Sequence, residues 1–127
     1  MKTINVKIDS IQVSNFSTRE KEIEIELFFD KYKTIKKIEI DDPNQQAHDI
    51  VVEIRRKVKE KNETDQNEDD ILGGLVNVLI ENEETTIKKI AVFLCKLSDK
   101  INAVKNTTTS DNYMNMLNEV KSMRLEL

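Results

Sequence analysis

Three glutamates at alternate positions, Glu22, Glu24 and Glu26, are interleaved with Ile23, Ile25 and Leu27. Alternate residues of an extended strand share a face, which sets these carboxylates roughly 6.5–7 Å apart along one side. Such a ladder is either a solvated face balanced by lysines on neighbouring strands or an acidic docking surface. In the second case it would engage an Arg/Lys-rich groove on a partner and compete there with nucleic-acid phosphate. The basic counterpart is Arg55, Arg56, Lys57, Lys59 and Lys61. Cations at the end of a helix are favoured by its dipole, so this cluster has a structural reason to exist. Joined by Lys88 and Lys89 it forms an alternative phosphate-contacting patch, although no aromatic platform is interleaved with it for stacking bases. No turn joins two short helices in the helix-turn-helix manner either.

Other candidate chemistry is thin. Asp65, Asn67 and Asp69 match the opening of a calcium loop, but Asp70 stands where that loop needs Gly and Val76 where it needs a bidentate Glu. His48 is the only imidazole and Cys95 the only thiol, too few for a zinc site or a convincing nucleophile and base. Cys95 falls in an apolar helical pattern and is expected to be a buried thiol. With two glycines in the chain, a Gly-rich phosphate cradle is nearly excluded. The sequence therefore assigns no catalytic, cofactor or metal site, and the chain is read as a non-enzyme.

The elements that position these residues follow from periodicity. From Ile4 to Val13 apolar residues alternate with one slip, which predicts a strand with a bulge near Asp9 and Ser10. Asn15 to Arg19 reads as a turn, Lys21 to Phe29 as a strictly alternating strand, and Ile35 to Ile40 as a third strand. Together they predict an antiparallel meander with one wet face. Asp42 followed by Pro43 starts a helix that carries Ala47, Ile50, Val51, Ile54 and Val58 and reaches about Lys61. Residues Asn62 to Asp70 read as a solvated loop, and Ile71 to Ile80 as a second helix, apolar nearly all round, packed closely through Gly73 and Gly74. Thr85 or Thr86 opens the longest helix, and Ser110 or Asp111 a fourth one that turns Tyr113, Met116, Leu117, Val120 and Met123 inward. The expected fold is thus a single α+β domain over residues 1–127, a three-stranded antiparallel meander with about four helices packed on it.

Composition bounds the rest. A chain of 127 residues can bury a core without a disulfide or metal. Its net charge of −4 disfavours general attraction to nucleic acid or an anionic membrane. No apolar run is long enough to span a bilayer, and no leader pattern opens the chain, so a cytoplasmic setting is expected. Small size, acidity, catalytic bareness and a wealth of Ile, Lys and Asn, whose codons are AT-rich, resemble in type the accessory proteins of phages and mobile elements. That resemblance implies a protein-binding module that inhibits a host nucleic-acid-handling complex, as an anti-CRISPR protein does, through Glu22, Glu24 and Glu26. The alternatives are a homodimeric assembly protein joined through its apolar helices, and a weak nucleic-acid binder using the basic patch.

Overall fold

The computed structural model describes residues 2–17, 22–65, 76–107 and 110–127. In chain order the elements are β1 (Lys2–Val6), β2 (Ile8–Phe16), β3 (Ile23–Phe29), β4 (Tyr32–Ile38), α1 (Pro43–Asp65), β5 (Val76–Ile80), α2 (Glu83–Asn106), α3 (Ser110–Ser122) and β6 (Arg124–Glu126). They build two sheets: an antiparallel one ordered β4-β3-β2-β6, and a parallel pair of β1 and β5.

The expected meander is β2, β3 and β4. Ile23, Ile25, Leu27 and Phe29 of β3 are all buried while the residues between them are half-exposed, the alternation of a sheet with one wet face. The expected slip near Asp9 is present twice over. The chain leaves β1 and enters β2 across Lys7, changing sheets, and a bulge then leaves Asp9 unmatched between the pairs Ile8 with Phe29 and Ser10 with Phe28. The segment read as one strand is therefore two strands in different sheets. Asn15 and Phe16, read as the start of a turn, continue β2, because Phe16 is buried and a second register shift after Val13 brings it opposite Ile23. Residues 18, 19, 20 and 21 lie outside the described ones. A two-residue turn, Asp30 and Lys31, joins Phe29 to its partner Tyr32, with Asp30 at a φ of 53°.

Helix α1 begins as its sequence dictates. The Asp42 side chain accepts a hydrogen bond from the Gln45 N–H at 3.3 Å, and Gln46 reaches back to accept from the N–H groups of Asp41 and Asp42. Ala47, Ile50, Val51, Ile54 and Val58 are buried along one stripe. Helix α2 opposes it with Ile90, Leu94, Leu97, Ile101 and Val104, and starts at Glu83 and Glu84, whose charges suit the N-terminal dipole. Helix α3 buries Val120 and half-buries Tyr113, Met116 and Leu117. The buried side chains of sheets and helices form one continuous cluster. Each fully buried aliphatic side chain in it contributes about 1.5–3 kcal/mol.

Further expectations are corrected. Residues Val76–Ile80, read as part of a helix, form β5, and the described residues hold three helices instead of about four. The reason is visible in the burial: Val76, Val78 and Ile80 turn inward and Asn77 and Leu79 outward, a period of two that β-branched residues favour. Pairing with β1 then fixes the choice. Ile71, Leu72, Gly73, Gly74 and Leu75 lie outside the described residues, as do Gln66 to Asp70 of the expected acidic loop, whose first residues, Asn62 to Asp65, instead prolong α1.

Candidate docking groove

The last strand supplies a feature the sequence reading missed. Met123, Leu125 and Leu127 alternate with Arg124 and Glu126, and the segment 124–126 pairs antiparallel with β2, placing Ile11 opposite Leu125. Beside it runs α2. A groove of about 460 Å³ lies between them, lined by Lys88, Lys89, Val92, Phe93, Lys96 and the 123–125 segment. Val92 is 54% exposed although it is a large aliphatic residue on a helix otherwise apolar only on its buried side. Leu125 and the mostly buried Phe93 lie beside it, and among the described residues the lining holds four cations and no carboxylate. Lys88, Lys89 and Lys96 form no ion pair among the described residues. Arg124 makes a 3.4 Å contact with Glu126 and another of 3.4 Å with the Ser10 hydroxyl. Three lysines without an ion pair beside an exposed apolar residue are chemically suited to receive an acidic partner.

The glutamate ladder is placed differently. Glu22 is exposed just ahead of β3. Glu24 stands opposite Lys37 in the β3–β4 register, their charged ends 3.5 Å apart. Glu26 accepts a hydrogen bond from Gln12 Nε2 at 3.0 Å and lies 3.9 Å from Lys33 Nζ. Two of the three carboxylates are thus balanced by lysines on the next strand, one of the two readings the sequence allowed.

The basic run of α1 stops about a turn short of the helix end at Asp65, and Arg55, Arg56 and Lys59 line one hollow while Lys57 and Lys61 line another. Arg55 pairs with Glu83 at the start of α2, and its Nε is buried without a hydrogen-bond partner among the described residues. Arg56 is held by Glu53 and Glu60 on its own helix. Its guanidinium donates to both Glu53 oxygens and holds that carboxyl below the usual glutamate value, against the opposing effect of burial. The hollow of Lys57 and Lys61 also takes in Tyr32, where Lys61 Nζ sits 4.8 Å from the ring centroid. That of Lys59 takes in Val52 and Leu79. Lys88 and Lys89 belong to the groove between α2 and β6.

Of the chemical candidates, His48 and Cys95 are both exposed, so the expectation of a buried thiol is corrected. Cys95 sits three residues after the exposed Val92 on the outer side of α2, while Leu94 and Leu97 take the buried positions on either side of it. Asn67, Asp69 and Asp70 of the calcium-like run lie outside the described residues, and Val76 opens β5. Among the described residues no group of three or more His, Cys, Asp or Glu side chains could hold a metal ion. No described helix is long and apolar enough to cross a membrane. The chain matches no family model, no curated protein and no solved structure.

Proposed function

We propose that the chain is a non-enzymatic protein-binding module whose partner docks in the groove between α2 and β6. The observation that carries this reading is the exposure of Val92 above Phe93, Met123 and Leu125, within a ring of Lys88, Lys89, Lys96 and Arg124. Burying that apolar floor is worth about 25 cal/mol per Å², and cations at its rim select the partner by charge. An inhibitor that imitates nucleic-acid phosphate would present unpaired carboxylates. Glu24 and Glu26 are instead engaged with Lys37 and Lys33, which supports the groove over the ladder in this reading. Inhibition of a host complex then works by covering an acidic, partly apolar surface of it. The dimer alternative loses one of its two supports, since residues 76–80 are a strand and not an apolar helix.

The test compares two sets of variants in one pull-down. Val92→Asp with Lys89→Glu attacks the groove, and Glu22→Gln with Glu24→Gln and Glu26→Gln attacks the ladder. A specific partner lost by the first and kept by the second supports the groove; the reverse result returns the site to the ladder. A photo-cross-linker on Cys95 gives direct capture, because the only thiol of the chain is exposed and stands one turn from Val92.

A further inference from the structure

We infer that the occupant of the groove is an extended acidic segment that adds as a new strand to the open edge of β6. This inference rests on the groove reading and names the chemistry and the mode of the partner.

The open edge follows from the hydrogen bonds. Val13 N–H donates to the Met123 carbonyl at 3.3 Å, and Leu127 N–H donates to the Asp9 carbonyl at 3.0 Å. In an antiparallel ladder residues alternate between those that exchange bonds with the neighbouring strand and those that do not. The Met123 carbonyl, Leu125 and the Leu127 N–H therefore face β2, while the Met123 N–H donates to the Val120 carbonyl at 3.2 Å. Arg124 and Glu126 direct their N–H and C=O groups away from β2, and among the described residues β6 is the last strand in the sheet order. An edge of this kind is a template for a further strand.

What borders that edge sets the chemistry. The groove at Met123–Leu125 is walled by α2 residues 88 to 96, and the adjoining hollow at Leu127 by Asn82, Thr85, Thr86 and Lys89. Helix and strand therefore run alongside each other in opposite directions, and a strand added to β6 has one face over α2. Along α2, Lys88 or Lys89 is separated from Lys96 by seven or eight residues, roughly 10.5–12 Å. Two side chains four residues apart on an extended strand share a face and are roughly 13 Å apart. Val92 lies midway between the lysines. The matching pattern is acidic-x-apolar-x-acidic: one carboxylate at Lys88 and Lys89, the apolar side chain on Val92 and Phe93, and the second carboxylate at Lys96. Among the described residues the groove lining holds no carboxylate, while Glu81 borders the adjoining hollow and Glu126 lies exposed on β6 itself.

The probe is a fluorescein-labelled peptide with the core Glu-Thr-Val-Thr-Glu, titrated into the full chain labelled with nitrogen-15. Two N-methylated forms carry the methyl groups on opposite sets of alternate amides, so that only one form loses the amides facing β6. The expected result is binding with amide shifts and exchange protection at Arg124 and Glu126. One methylated form alone should lose about tenfold or more in affinity, and Lys89→Glu with Lys96→Glu about tenfold as well, at unchanged far-ultraviolet circular dichroism. Equal effects of the two methylated forms would overturn strand addition, and equal affinity for a short oligothymidylate would reduce the groove to a phosphate-attracting patch. If the peptide does not bind while Cys95 still cross-links a partner through an intact groove, the acidic strand falls and the groove stands. Failure of both removes the groove reading itself.

Discussion

Glu24 on β3 and Lys37 on β4 occupy opposed positions in the antiparallel register, with Oε1 and Nζ 3.5 Å apart on the wet face of the sheet. Reversing one charge should lower stability by no more than about 1 kcal/mol, because both ends are solvated. The swap Glu24→Lys with Lys37→Glu should recover most of it. Urea midpoints of the single and double variants measure this, and all of them should keep any partner captured through the proposed groove.

Asp30 takes a left-handed φ of 53° in the turn between β3 and β4, and its N–H donates to the Lys7 carbonyl at 3.0 Å. Asp30→Gly should be neutral or slightly stabilising, since glycine reaches that φ without strain. A β-branched residue there costs about 1–2 kcal/mol. Thermal melts of Asp30→Gly and Asp30→Val should therefore move apart, with valine the lower.

Leu94 is fully buried where α2 meets the rest of the core. Leu94→Ala removes that packing and leaves a cavity, at a cost of about 2–5 kcal/mol. Val92→Ala, two positions away and exposed, should change stability within about 0.5 kcal/mol. Chemical denaturation of the pair separates a residue kept for the fold from one available for docking.

Cys95 should react with a maleimide in the native state to one equivalent per chain, at a rate close to that in urea. Protection in the native state would mean that the outer side of α2 is covered in solution, as it would be in a self-associated form. The rate measured across a concentration series distinguishes these outcomes.

Glu53 has its pKa lowered below 4.5 chiefly by the hydrogen bond from Arg56. A carboxyl depressed in the folded state adds stability above its unfolded pKa and loses it as pH falls through the folded value. The stability difference between wild type and Arg56→Gln should hold constant from neutral pH down to about 4.5 and shrink below it. The effect is small, because the pair is solvated.

Strict alternation made β3 legible in the sequence, and the Asp42–Pro43 start and the 47–50–51–54–58 stripe did the same for α1, because local physics and tertiary packing agree there. They part company at β5, where Leu79 is an exposed apolar residue that completes a false helical pattern, and only pairing with β1 selects the strand. The same holds at β6. Its alternation of Met123, Leu125 and Leu127 with Arg124 and Glu126 can be read from the residues, yet three residues make a strand only when a neighbour such as β2 accepts them. Lys88 and Lys89 were visible as cations, but their grouping with Lys96 and Arg124 brings together segments nearly thirty residues apart, which composition cannot show. The glutamate ladder was visible too. The pairing of Glu24 and Glu26 depended on which side chains β4 brings alongside, and that is a matter of register.

The central claim is that a protein docks on Val92 and the lysines around it. Photo-cross-linking from Cys95, in wild type and in Val92→Asp, tests it most directly. One specific adduct with a partner protein is expected in wild type and its loss in Val92→Asp, with the fold unchanged. An adduct of equal yield in both, or none in wild type while the partner still co-purifies, would place the docking surface elsewhere on the molecule.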